Sequence, residues 1–310
     1  MSARLLVFVA FALLASPAAA ILLAAAEENG NTRAPADDFG FAYVGAGRES
    51  AVYLGDGWMI SANHVPLGPV VLQGVRYPVV TDSRVRLRHP GSHHWADLAM
   101  FRLRERPDLP RLPIRRSPPE VGQLVFLAGN GYGRGTPWQL PEAAGWSWND
   151  DKALRWGTNS VENVGLVIGI DRGNTTAAFD TRFSRTEGTR YEAQVTLGDS
   201  GGGAFIKQGD RWELAGVLFA ADQYTDRDER AATFGDLSYI ADLSRYRAQI
   251  LDAMACAGER ACIDARWTRR SASCNDACGE GFAFCLVVPL LVRRRWPAWV
   301  RLRRRPRAPA

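Results

Sequence analysis

The first 255 residues contain no cysteine; all five (Cys256, Cys262, Cys274, Cys278 and Cys285) lie beyond them. A disulfide-held body is therefore excluded, and the body must be stable through an apolar core. Histidine is equally scarce: His64, His89, His93 and His94 are the only four, and none follows residue 94. The C-terminal cysteines have no histidine near them, which disfavours a Cys/His zinc site. Their C-x5-C and C-x3-C spacings suit small disulfide loops in an oxidising compartment, with Cys285 left over. The adjacent His93 and His94 read as a surface loop, and neither a metal nor a cofactor is expected.

Acidic residues are missing from the far end, where eight arginines follow residue 292 without one. The whole chain of 310 residues has 38 Lys+Arg against 33 Asp+Glu, a formal charge of +5. Residues 256–310 hold 12 arginines and 4 acids, a net +8, which leaves the body at −3. A mildly acidic body excludes a general electrostatic footprint for nucleic acid, and no nucleic-acid partner is expected.

The N-terminus has Arg4, then an apolar run from Leu5 to Leu14, then Ala18-Ala19-Ala20 and Ala24-Ala25-Ala26. This order predicts a signal peptide over residues 1–26, cleaved after Ala20 or Ala26, and an exported, extracellular or cell-surface protein. The competing reading is a retained anchor, since Leu5 to Ala26 is 22 nearly continuous apolar residues. Residues 256–280 are expected to form a Cys-containing stalk. Gly281 to Val292 is a twelve-residue apolar run ahead of Arg293-Arg294-Arg295. As a helix it would reach only about 18 Å of a roughly 30 Å hydrocarbon core. Membrane anchoring, contact with sorting machinery and a disordered extension all stay open for residues 281–310.

Between residues 38 and 240 short β-branched and aromatic runs alternate with Gly, Asn and Asp. Phe41–Val44, Ala51–Leu54, Trp58–Ser61, Leu98–Leu103, Leu124–Ala128, Val164–Ile170 and Leu214–Phe219 are examples. The pattern predicts barrels or sandwiches and excludes βαβ units. Residues 105–121 carry five prolines and read as an extended connection. Apolar positions at Ile240, Leu243, Tyr246, Ile250 and Met254 predict one helix, capped by Asp242 or Ser244. The glycines of Gly129–Gly135 precede no helix pattern, so they read as a turn and not as a nucleotide loop.

The chemistry concentrates in Gly198-Asp199-Ser200-Gly201-Gly202. A serine between glycines can sit on a sharp turn with backbone N–H groups unobstructed, as an oxyanion site requires. It needs a base and an orienting acid. The α/β-hydrolase elbow G-x-S-x-G places its histidine after the serine, and no histidine follows Ser200. That leaves the order His, Asp, Ser. His64 ends the strand-like run Trp58-Met-Ile-Ser-Ala-Asn-His64-Val, and Asp97 opens Ala96-Asp97-Leu-Ala-Met-Phe-Arg-Leu103.

At these three blocks the chain resembles the trypsin-like (chymotrypsin-fold) serine proteases of the bacterial secreted type, over residues 38–255. The resemblance implies an all-β fold of two antiparallel six-stranded β-barrels with a C-terminal helix. The first barrel would span about 38–104, and the second barrel with its helix 122–255. It implies His64, Asp97 and Ser200 as catalytic, and the N–H groups of Gly198 and Ser200 as the oxyanion hole. Gln194, Leu197, Phe219 and Ala221 would bind a protein or peptide substrate. Three departures stand out. Val65 follows His64 in place of a cysteine, and no basic residue precedes an Ile-Val-Gly-Gly start that could pair with Asp199. Phe219 occupies the position of a serine that supports the aspartate. The alternative is an inactive protease-fold binding module at the cell envelope.

Overall fold

The computed structural model describes residues 21–25, 31–140, 143–169, 173–222 and 230–277. Most of the expected leader, Cys278, Cys285 and the segment 281–310 lie outside them. No described helix is long and apolar enough to cross a membrane.

A short strand, β1 (Leu22–Leu23), precedes the first unit. That unit contains β2 (Val44–Ala46), β3 (Ser50–Gly55), β4 (Trp58–Ser61), β5 (Val70–Leu72), β6 (Val75–Tyr77), β7 (Val85–Arg88) and β8 (Trp95–Arg102). They form one antiparallel sheet in the order β6-β5-β2-β3-β4-β8-β7. The sheet curls until the chain after β6 meets the end of β8. There Val80 N–H donates to Arg102 O and Arg104 N–H to Pro78 O, each at 2.8 Å. In place of the expected six-stranded barrel the unit is thus a seven-stranded sheet, with one isolated bridge, Val79↔Leu103, between its ends. Period-two alternation divides β3: Ala51 and Tyr53 point inward with Met59 and Phe101, while Val52 and Leu54 face the second unit.

Residues 105–121 then run extended between the units. Leu112 N–H donates to Leu54 O at 3.2 Å and Arg115 N–H to Leu214 O at 3.0 Å. The second unit begins with β9 (Leu124–Gly129), β10 (Tyr132–Leu140), β11 (Ala143–Lys152), β12 (Arg155–Gly169) and β13 (Thr175–Arg182). It continues with β14 (Ala193–Gln194), β15 (Gly203–Gln208), β16 (Arg211–Ala221), β17 (Ala231–Thr233) and β18 (Leu237–Asp242). Six of these close into a barrel in the order β12-β13-β18-β16-β15-β9. Its interior is Val125, Leu127, Phe179, Ile206 and Ile240. β10, β11 and β17 form a separate three-stranded sheet, and β14 pairs with β1.

Helix α1 spans Leu243–Ala255 and is capped by Asp242, whose carboxylate accepts from Ser244 N–H at 3.0 Å. It starts three residues later than the apolar spacing predicts, because Ile240 is taken into the barrel opposite Phe179 and Leu218. The expected stalk takes a different form in its described part. A disulfide joins Cys256 to Cys262, and α2 (Arg260–Ala277) follows. Ile263 at its start is fully buried, and Arg266 reaches Asp252 of α1 at 3.4 Å. The folded body therefore extends past residue 255: the disulfide, the packing of Ile263 and Trp267 and the ion pair dock a helix whose polar composition suggests exposure.

Tyr246 secures α1 to the barrel: its hydroxyl accepts from the Ala177 N–H at 2.8 Å, and the side chain is fully buried. Replacing Tyr246 by Phe leaves that N–H without a partner in the interior. We expect Tyr246→Phe to lower the unfolding free energy by about 1–3 kcal/mol in urea titrations, with the far-UV spectrum unchanged.

Candidate active site

His64 sits in the turn that ends β4. Arg84, at the start of the segment leading into β7, braces the turn through contacts to Asn63 O, to Asn63 Oδ1 at 3.2 Å and to Val65 O at 3.5 Å. Asp97 lies near the start of β8 and is 4% exposed. Its two carboxylate oxygens grip His64 twice: Oδ1 accepts the His64 backbone N–H at 2.9 Å, and Oδ2 meets ring Nδ1 at 2.7 Å. The Asp97 N–H donates to Thr176 Oγ1 of β13 at 2.9 Å, which ties this strand to the second unit. Among the described residues both donors to the Asp97 carboxylate come from His64. No side-chain hydroxyl from β16 joins them, because the Phe219 side chain is buried in the core between the units.

Burial of the His64 ring works against its protonation, but the bond and charge of Asp97, with the charge of Glu49, outweigh it and raise the imidazole above its usual value. Glu49 Oε2 stands 3.9 Å from His64 Nε2. Nothing in the sequence distinguishes Glu49 from any other surface glutamate, so this contact is visible only in three dimensions.

Ser200 occupies a turn shaped by its glycines. Gly201 has φ +87°, and a side chain there would run into Ser50 O and Ser61 Oγ. Gly198 has φ +95°, the left-handed region that favours glycine. Among the described residues neither the Gly198 nor the Ser200 N–H donates to another group of the protein. The turn hangs from Ser50 at the start of β3. Ser50 N–H donates to Ser200 O at 2.9 Å, and Ser50 Oγ donates to Gly198 O at 3.0 Å and accepts from Asn130 N–H at 2.8 Å. Ser61 Oγ in turn holds Ser50 O at 2.7 Å. Glu49 beside His64 and Ser50 beside Ser200 are consecutive residues.

Asp199 anchors the turn from inside. It is fully buried and accepts from Gly131 N–H and Thr196 N–H, both at 2.8 Å. Burial pushes its carboxyl up to about 6. Those donors and the charge of the buried Arg155 pull the other way. Thr196 Oγ1 lies 2.9 Å from Tyr132 O and 3.0 Å from Asp199 Oδ2. Its one proton serves either oxygen, so the two backbone N–H groups are the fixed donors to the carboxylate.

Gln194, Leu197 and Ala221 line one cleft with Ser200, together with Trp148 and Asp236. Phe219 does not line it, against expectation: the residue is 1% exposed and its side chain packs in the core. The Gln194 amide accepts from Ser238 Oγ at 2.9 Å. Asp236 was not legible as a site residue: it follows the third strand of an appended sheet, and its carboxylate accepts from Thr233 N–H and Oγ1 at 2.8 Å each.

Two antiparallel β units joined by an extended connection and followed by a helix define the chymotrypsin-like serine protease fold. The first unit carries the paired His64 and Asp97, and the second carries the glycine-flanked Ser200. No family profile matches the chain, and no curated protein does. Among solved structures it is similar to an inactive mutant form of Rv3671c from M. tuberculosis H37Rv. That match has a TM-score of 0.46 and 16% identity over 72% of this chain and 92% of that one. It is similar also to neuropsin, a serine protease expressed in mouse brain, at a TM-score of 0.47 and 17% identity over 72% and 98% of the two chains.

The Ser50 hydroxyl gives a direct test of how the turn is held. Ser50→Ala leaves the Asn130 N–H unpaired and frees Gly198 O. Displacing a reacting group by about 1 Å can cost 10²-fold in rate. We therefore expect Ser50→Ala to slow modification of Ser200 by a fluorophosphonate by about that factor, measured on protein whose circular dichroism matches the parent.

Proposed function

We propose that the protein is an exported serine endopeptidase that hydrolyses protein or peptide substrates through an acyl-enzyme. The observation that carries this reading is the double grip of Asp97 on His64. With Nδ1–H donated to Asp97, the ring's Nε2 is the acceptor and can take the proton of Ser200 Oγ as that oxygen attacks the scissile carbonyl. His64 then returns the proton to the leaving amine, and Asp97 stabilises the imidazolium between the two steps. The N–H groups of Gly198 and Ser200 receive the oxyanion, each donor contributing about 3–4 kcal/mol to the transition state. Gln194, Leu197 and Ala221 border the cleft for the residue on the acyl side. The reaction needs no metal or cofactor.

Phe219 supports the other reading, an inactive binding module, because it withholds from Asp97 the hydroxyl that the resemblance would supply. A fluorophosphonate probe separates the two. The full chain should label stoichiometrically and Ser200→Ala not at all, while Asp97→Asn should lower kcat by about 10⁴-fold. A folded parent that does not label would leave the binding module.

The charge of Glu49 favours the protonated imidazole, so it raises the pH at which His64 becomes a free base. Glu49→Gln should accordingly move the acid limb of the kcat/KM profile to lower pH. A limb that stays in place would remove Glu49 from the electrostatics of the base.

A further inference from the structure

Residues 21–24 lie between the two expected cleavage points, after Ala20 and after Ala26, and they are built into the second unit. Ile21, Leu22 and Leu23 are 0%, 0% and 6% exposed. Their side chains alternate as a strand requires. Ile21 and Leu23 enter the barrel interior with Val125, Leu127 and Ala193, while Leu22 packs on Trp148, Phe183 and Ala232. β1 pairs with β14 as Leu22↔Gln194 and Leu23↔Ala193, and Ala24 N–H donates to Glu192 O at 2.8 Å. Asn31 Nδ2 donates to Ile21 O at 3.0 Å, and Arg134 donates to Leu23 O and Ala24 O at 3.4 and 3.3 Å. β14 is the strand that carries Gln194 into the cleft beside Ser200. Trp148, which Leu22 supports, lines the same cleft.

The backbone adds a second, independent sign. Ile21 has φ +41°, a left-handed value that a β-branched residue adopts only under strain. That torsion is defined by the carbonyl of the preceding residue, so it is imposed only while Ala20 is attached. Ala18-Ala19-Ala20 places small residues at the two positions that a leader peptidase reads.

We propose that export cleavage falls between Ala20 and Ile21, and that Ile21–Ala24 remains as a strand on which the substrate cleft depends. The proposal rests on the reading of an exported protein. Hydrolysis by the leader peptidase consumes one water and breaks the Ala20–Ile21 amide, leaving a carboxylate on Ala20 and an amino group on Ile21. The strained torsion disappears with the bond. Cleavage precedes docking, because Ile21 is wholly buried once β1 has paired. A cut after Ala26 would remove β1, open the barrel interior at Leu127 and Ala193, and free β14.

The experiment is N-terminal sequencing of the protein exported with its own leader from a bacterial host, which is independent of catalysis. Ile21 as the first residue is expected; Glu27, or an intact Met1, would overturn the proposal. Two further chains, starting at Ile21 and at Glu27 behind a foreign leader, test the role of the strand. The Glu27 chain should unfold at lower urea. It should react with a fluorophosphonate about 10²-fold more slowly than the Ile21 chain. Added Ile-Leu-Leu-Ala peptide should restore both properties, which separates a missing strand from a misfolded protein. Equal urea midpoints for the two chains would overturn the role of the strand. If neither chain reacts while sequencing gives Ile21 and the midpoints differ, the processing site stands and the protease reading fails.

Discussion

The turn that bears Ser200 depends on Ser50. A single residue of the first β unit holds both carbonyls of the turn that bears Ser200, one through its N–H at 2.9 Å and one through its hydroxyl at 3.0 Å. The hydroxyl also receives Asn130 N–H from the segment between β9 and β10. A histidine on one unit and a serine on the other are only as well registered as the contact between the units. A clamp of short polar bonds fixes that register more sharply than apolar packing, which is non-directional. The large shared core of Phe39, Phe205, Leu214, Tyr246 and Ile250 brings the units together; Ser50 decides how they are aligned.

The same turn is fixed from beneath by a buried carboxylate. Asp199 has two backbone donors and the field of Arg155, and Arg155 is itself fully buried, lowered to about 10 by desolvation and opposed by Asp151 and Asp199. An unpaired charge at such depth would be untenable, so the donors from Gly131 and Thr196 are a structural necessity. They also answer the absence of an Ile-Val-Gly-Gly start: the chain supplies internal partners to the acid beside its candidate nucleophile. The described residues before Cys256 hold no cysteine, and there these networks and the packed barrel interior do the work of cross-links.

The strands were legible because β-branched and aromatic runs bounded by Gly and Asp have few alternatives to a half-buried sheet. His64, Asp97 and Ser200 were legible because three motifs occurred in one order. Ser50, Glu49, Asp236 and Arg155 were not, since Ser, Glu, Asp and Arg occur everywhere on surfaces and acquire meaning only from neighbours distant in sequence. Leu22 and Leu23 were undecided for a physical reason: an apolar segment beside a leader looks the same whether it is discarded or buried. The polar helix α2 misled in the opposite sense, because its few apolar residues, Ile263 with Cys262 and Trp267, are the ones that pack on the core.

The sequence by itself determined the class of fold, the three candidate groups and the placement of the excess charge at the far end, since these follow from residue types, their order and local periodicity. Only the tertiary structure decided that Asp97 grips His64 at two points, that Ser50 holds the Ser200 turn, that Phe219 faces the core, and that Leu22 and Leu23 pair with β14. Each of these is a contact between residues far apart along the chain, and it exists only after the barrels have closed and brought them within bonding distance.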